Sequence, residues 1–423
     1  MKVIGISAPV TGSGKTSVTL AVLSHLKNAI AFKIGPDYID GGLSSVISGT
    51  RTMNIDRWIQ GRNYMNQFAE ASRKFDYGIV EGVMGLHDSG SQNNLSTHYY
   101  FRKFGIPYIL VVDVRKMAES AYYMARGSLG SGAIGVIINN YVSEKHFEMV
   151  AREFRKRGVK IIGAIPYMEE LKIPERHLGL HTSLEVGNLH EIAQKISKYI
   201  DFSFLENLAD VRYPLPKKHK VGVTNKEIWI AYDRAFNFYY ADSLSLLESI
   251  GRVRYFSPLE DEVPENPDFI YLGGGYPELY ADQLSRSYRL MSFLRNYSES
   301  GKPMLAECGG LMYLEGTIES DRGELKMTGV FNGTVKKNRK LTLAYTKLLA
   351  KEDTLLFRKG EIAYGHEFHY SDVEDSDPKI LKNLIGRGID GNDGLQSRNT
   401  VGSYSHFSLE RYKKRLVRSI LSS

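Results

Sequence analysis

The first half of the chain alternates short, uninterrupted apolar runs with longer segments of helical composition. Runs of strand length occupy residues 2–7, 29–34, 77–81, 107–114, 133–140 and 160–166, with helical stretches such as 17–27 and 118–127 between them. Apolar runs without polar alternation suit strands buried on both faces, so the pattern predicts a parallel sheet with flanking helices. At 210–220 the pattern breaks into "DVRYPLPKKHK", whose two prolines and basic cluster read as a linker. A second series follows, with strands expected at 228–232, 252–257, 269–272 and 303–306 and a helix at 242–250. Beyond Lys326 the pattern turns β-rich. The expected organisation is two α/β domains, 1–210 and 221–423, joined by a linker at 211–220.

Length and composition fit this picture. A chain of 423 residues is too long for one ordinary core. Its 42% hydrophobic and 24% charged residues give the balance of a soluble globular protein. No apolar run is long enough to span a bilayer, and the first strand begins at once, leaving no room for a leader. One cysteine excludes an internal disulfide. The expected location is cytoplasmic. The net charge of +7 suits anionic small molecules or nucleic acid. The basic groups are scattered, and the densest ("REFRKRGVK", "KKHK") lack interleaved aromatics, so neither nucleic acid nor a membrane is the expected partner.

The first strand runs into "APVTGSGKTSVTLAVL", the strand–loop–helix context of a phosphate loop. Thr11, Gly12, Ser13, Gly14, Lys15, Thr16 and Ser17 are the expected ATP-binding residues. Their glycines let backbone amides approach phosphate oxygens, Lys15 reaches the outer phosphates, and Thr16 offers its hydroxyl to Mg²⁺. The strict motif is missed only at its first position, where Pro9 stands. Glu81 ends an apolar strand on the side where ligands of parallel sheets bind, which makes it the expected second magnesium ligand. Lys33, Asp37 and Asp40 in "FKIGPDYID", and Asp88 in "VEGVMGLHDSG", are candidates for the substrate or phosphoryl-transfer site. Partition and septum-positioning ATPases carry a signature lysine where this chain has Val10, which argues against that class.

The only cysteine, Cys308, lies in "LAECGGLMYL", between a strand and a Gly-Gly pair that permits a sharp turn into a helix. Most lone cysteines are buried hydrophobes. A nucleophile on such a turn is instead exposed to substrate, with helix-terminal amides favouring its thiolate. The triglycine of "YLGGGYPELY" offers backbone donors for an oxyanion, with Gly274 and Gly309 the expected contributors. Histidines 366, 369 and 406 follow, and His406, at the end of a strand-like run, is the expected base.

Seven motifs in order, "FKIGPDYID", "VEGVMGLHDSG", "IPERHLGLHT", "AFNFYYADSL", "YLGGGYPELYADQLS", "AECGGLMYL" and "GHEFHYS", make the chain resemble the cobyrinic acid a,c-diamide synthase family over nearly its full length. That resemblance implies a synthetase domain related to dethiobiotin synthetase, followed by a class I glutamine amidotransferase domain. It implies glutamine, ATP with Mg²⁺, and cobyrinic acid as reactants, with Cys308 releasing ammonia for amidation of acetates a and c through acyl phosphates. An enclosed path for ammonia between the domains is then expected. Most class I glutaminases carry His-x-Glu; here Phe407 and Ser408 follow His406, so the resemblance implies a Cys–His dyad. The same chemistry on Ni-sirohydrochlorin or hydrogenobyrinic acid, and a non-catalytic nucleotide switch, are the competing readings. His177 and the aromatics of "AFNFYY" either touch the substrate ring or pack. The assembly state stays open, a homodimer included.

Overall fold

In the computed structural model, which describes residues 1–90, 95–171, 173, 175–176, 179–180, 187–211, 213 and 224–422, the chain forms two units. The first comprises Met1–Arg57 and Arg62–Lys217; the second comprises Trp58–Gly61 and Lys218–Ser423. Of the expected linker, residues 212 and 214–220 lie outside the described residues, as does His177.

The first unit is built on seven parallel strands, ordered Met53–Ile55, Ala29–Ile34, Tyr77–Glu81, Lys2–Ser7, Tyr108–Asp113, Ala133–Tyr141 and Ile161–Pro166. Ala29–Ile34 is buried along its whole length, as the absence of polar alternation requires. Helix Lys15–His25 buries Val18 and Leu20–Leu23 in a core shared with Ile192 and Ile196 of helix Leu189–Ser197. The expected 17–27 helix thus begins two residues earlier, because Gly14 turns left-handed and lets the helix start directly on the loop. The short strand at Met53–Ile55 and the helix Ile39–Ser48 lie in a stretch where no strand or helix is named from sequence.

The second unit has two sheets. One runs Arg252–Phe256, Glu227–Ala231, Phe269–Leu272, Met304–Glu307 and Thr400–Ser403, all parallel, with Leu395–Ser397 antiparallel at its edge. The other is dominated by a long antiparallel pair, Thr334–Ala350 against Ile362–Glu374. This is the β-rich tail. The chain is therefore a two-domain α/β protein, with a phosphate-loop parallel sheet first and a second α/β unit after it.

Two consequences for stability follow. Gly310 opens helix Gly309–Leu314, and a Cβ there would run into the carbonyl oxygen of Leu272. Backbone cannot move aside as a flexible side chain can. Gly310→Ala is expected to cost about 1–3 kcal/mol, read as a lowered urea midpoint. Glu315, buried after that helix, accepts from the Gly333 amide at 2.9 Å; burial first, then Asp375, push its carboxyl up to about 8. A raised folded pKa means that unfolding releases a proton between the ordinary value of 4.5 and about 8, so stability falls as pH rises through that window. Glu315→Gln is expected to flatten this slope, measured as the change in Tm between the two ends of the window.

Candidate functional site

The two candidate sites lie in different units. In the first unit, Gly12 and Gly14 take φ of 78° and 93°, a region that favours glycine, and aim the loop into helix Lys15–His25. Ser13 is pinned from both sides: its hydroxyl donates to the Val10 carbonyl (2.8 Å), and its carbonyl accepts from Asn139 Nδ2 (2.9 Å). A side chain at Gly14 would displace Asn139. Thr11 and Gly12 are exposed, while Lys15 is buried with its pKa lowered by burial first and then by Lys33. Ser17 sits in the first helical turn.

The strand register sets Lys33 beside Glu81. Lys33 Nζ donates to Asp40 Oδ2 (2.5 Å) and Glu81 Oε1 (2.8 Å) and lies 3.6 Å from Asp37 Oδ2. Burial would push Lys33 down, but Asp40, Glu81 and Asp37 outweigh it, and its pKa stands well above the usual lysine value. One ammonium therefore faces three carboxylates. Asp37 also accepts from the Ile39 and Asp40 amides (2.9 and 3.1 Å), opening helix Ile39–Ser48, while burial and then Asp40 push its carboxyl up to about 7. It is both a turn residue and part of the cluster. Asp88 stands apart, closing a turn by accepting from the Gly85 amide at 2.9 Å; its charge still reaches Lys15.

Thr16 Oγ1 donates to Glu81 Oε1 at 2.9 Å, so the two expected magnesium ligands meet. Glu81 Oε2 is buried with no hydrogen-bond partner, an orphan oxygen that a cation would satisfy. Among the described residues no three His, Cys, Asp or Glu side chains are grouped to hold a metal. Thr16 and Glu81 fit Mg²⁺, which usually takes one or two carboxylates and completes its shell with water and phosphate.

In the second unit Cys308 joins strand Met304–Glu307 to helix Gly309–Leu314 with φ 48° and ψ −101°. Such a conformation costs a non-glycine residue on the order of 1–3 kcal/mol and is kept where the surroundings enforce it. Here they do: the Cys308 amide donates to the Ser403 carbonyl (2.7 Å), and the Gly310 amide to the Gly273 carbonyl (2.9 Å). Cys308 is 1% exposed, and its thiol donates to the Phe368 carbonyl at 3.4 Å.

Sequence reasoning expected a thiolate. Burial, then Glu278, push the thiol pKa up; the Gly309 and Gly275 amides pull it down but do not prevail. The resting side chain is a thiol that needs a base. The amides facing it are those of Gly309 and Gly275. Gly274 has another function: the space a Cβ would take is filled by the His406 ring. The Gly273 amide is spent on Tyr239 Oη at 2.9 Å. Of the two glycines expected as donors, Gly309 presents its amide to the sulfur, as Gly275 does, whereas Gly274 lies against His406.

His406 is fully buried, three residues past strand Thr400–Ser403 rather than at its end. Asp393 holds the intervening turn, accepting from Ser403 Oγ and the Tyr404 and Ser405 amides (2.9, 3.0 and 3.1 Å). His406 and His366 exchange backbone hydrogen bonds of 2.8 and 3.2 Å. Cys308 and His406 thus share the Gly273–Gly275 loop as a common wall. His369 is elsewhere engaged, stacked on Tyr404 at 3.8 Å and bonded through Nδ1 to the Ser371 carbonyl. Phe236 and Phe238 of "AFNFYY" are buried, Phe236 within the core of this unit.

Two acids went unnoticed in the sequence. Glu307 precedes Cys308 and has its Oε2 3.7 Å from His406 Nδ1. Glu278 follows the triglycine; burial pushes its carboxyl up to about 7, and its Oε2 is buried with no partner. Their only signal was position, one residue before the cysteine and three after the last glycine.

Residues 227–414 match the CobB/CobQ-like glutamine amidotransferase domain. The cobyrinate a,c-diamide synthase of Saccharolobus solfataricus is 36% identical over 99% of this chain and the whole of that protein. The protein of the same name from Caldanaerobacter subterraneus subsp. tengcongensis is 35% identical over 99% and 97%. Among solved structures, PurLQS from Thermotoga maritima aligns with 47% of this chain and 99% of its own, at 19% identity and a TM-score of 0.37. At such identity over the full length of both partners, the chain belongs to the cobyrinate a,c-diamide synthase family.

Proposed function

We propose that the chain amidates the a- and c-acetate carboxylates of cobyrinic acid, using ATP and ammonia from glutamine. The observation that carries this reading is the buried, strained Cys308 beside two amides and against the loop that also seats His406. His406 takes the thiol proton as Cys308 Sγ attacks the glutamine amide carbon. The Gly275 and Gly309 amides receive the oxyanion. Collapse breaks the carbon–nitrogen bond, His406 returns its proton to the leaving nitrogen, and ammonia departs. Water then cleaves the glutamyl thioester to glutamate and free thiol.

In the first unit an acetate oxygen of the corrinoid attacks the terminal phosphorus of ATP, giving an acyl phosphate and ADP. Ammonia attacks the acyl carbon and inorganic phosphate leaves, once at each acetate. Thr11 to Ser17 hold the triphosphate, with Lys15 on its outer oxygens. Thr16 and Glu81 would hold Mg²⁺, which when bound neutralises phosphate charge. Lys33 keeps Asp37, Asp40 and Glu81 together in the absence of substrate; the three carboxylates orient the cation and the acetate end. Glutamine, ATP and a corrinoid polycarboxylate are the partners this requires.

The deciding experiment offers cobyrinic acid, hydrogenobyrinic acid and Ni-sirohydrochlorin separately with ATP and glutamine, and resolves mono- from diamides. A diamide from cobyrinic acid supports the assignment; turnover of another tetrapyrrole alone overturns it. Cys308→Ala is expected to lower glutamine-driven amidation by about 10³-fold or more while sparing synthesis from added ammonium. Lys15→Ala is expected to lose amidation with either nitrogen source by about 10²-fold or more, measured as diamide formed.

A further inference from the structure

We propose that Glu307 is the acid that serves His406, a positioning residue that fixes the imidazole and stabilises the imidazolium formed when Cys308 yields its proton. The inference rests on the glutaminase reading of Cys308 and His406. In His-x-Glu glutaminases an acid follows the histidine in sequence; here Phe407 and Ser408 occupy those positions, and both are buried away from any such task. The vacancy is filled from the other side of the site.

Glu307 is 1% exposed, and a buried carboxylate must be paired or hydrogen-bonded. Tyr271 Oη donates to its Oε2 at 2.6 Å and the Phe407 amide to its Oε1 at 3.0 Å. Both donors are neutral. The ring that faces it is His406, with Nδ1 3.7 Å from Oε2: ion-pair range once the ring is protonated, but too long for a resting hydrogen bond. The grip is double: one oxygen holds the amide next to His406 in sequence while the other faces the ring. Nδ1 on the carboxylate leaves Nε2 for the thiol and the leaving nitrogen.

The other titratable groups around the ring do not supply this charge. His366, across the paired strand with rings 6.1 Å apart, has its pKa driven well below normal by burial and then by His406. It stays neutral. Cys308 gives up a proton rather than receiving one, and Glu278 lies on the cysteine's side, where it raises the thiol pKa. A proton moved from Cys308 to His406 therefore converts an unbalanced Glu307 into a pair. That attraction is several times stronger in a buried site than in water.

The test uses the full chain and follows glutaminase kcat against pH beside ammonium-driven amidation. Glu307→Gln is expected to lower glutaminase kcat on the order of 10- to 100-fold, the range for removing the partner that orients a functional imidazole. Loss of the carboxylate removes the charge that favours the imidazolium, so the acidic limb of the profile moves to lower pH. Ammonium-driven amidation is expected to persist. Glu307→Asp, with its charge one methylene farther away, is expected to fall between wild type and Glu307→Gln in both readouts. It decides the matter alone should Glu307→Gln not fold. An acidic limb that moves in neither variant overturns the proposal, as does loss of both nitrogen sources with an unmoved limb. Cys308→Ala separates the two levels: if it keeps glutaminase activity, the underlying reading fails first; if it loses activity while the limb stays fixed in the Glu307 variants, only this proposal fails.

Discussion

The second unit is organised around a backbone that would not choose its own conformation. Cys308 stands at positive φ because three separate strands hold it there: its own, the one ending at Leu272 and the one ending at Ser403. Each contributes a carbonyl or a close approach that only glycine neighbours allow. Gly310 lies against Leu272, and Gly309 lies against Gly275 and Pro277. Because the strain is held by sheet hydrogen bonds, the thiol direction is set by the fold's most rigid part. The long antiparallel pair then adds the Phe368 carbonyl against the thiol and the backbone bonds of His366 to His406.

The first unit solves a different problem. Grouped carboxylates repel one another, and burial makes that repulsion worse. Lys33, near the end of Ala29–Ile34, lies within ion-pair distance of all three and so holds them in one place. The same arrangement leaves the buried Glu81 Oε2 without a hydrogen-bond partner. Preorganisation here means that positive charge from one residue is lent to three.

Much of this was legible in the sequence, for reasons that are local. The strands at 2–7, 29–34, 77–81 and 269–272 were read without error because unbroken apolar runs bounded by glycine or turn residues permit little else. The phosphate loop and the cysteine turn were readable because their geometry is written in adjacent glycines. What escaped depends on pairings distant in sequence. Lys33 and Glu81 meet only through the sheet register, 48 residues apart. His406 was placed at a strand end, but Asp393 draws the chain into a turn first. Glu307 was passed over because alternation alone cannot tell a buried acid from a strand's polar side. The thiolate expectation weighed helix amides without knowing how deeply the sulfur is buried.

A chain with one cysteine carries its own reporter. Any thiol-directed reagent that modifies the native fold reads this single turn and nothing else. Since the sulfur is almost wholly enclosed and holds its proton, a bulky alkylating agent can reach it only during excursions that open the pocket. The rate of labelling then measures how often the glutaminase breathes.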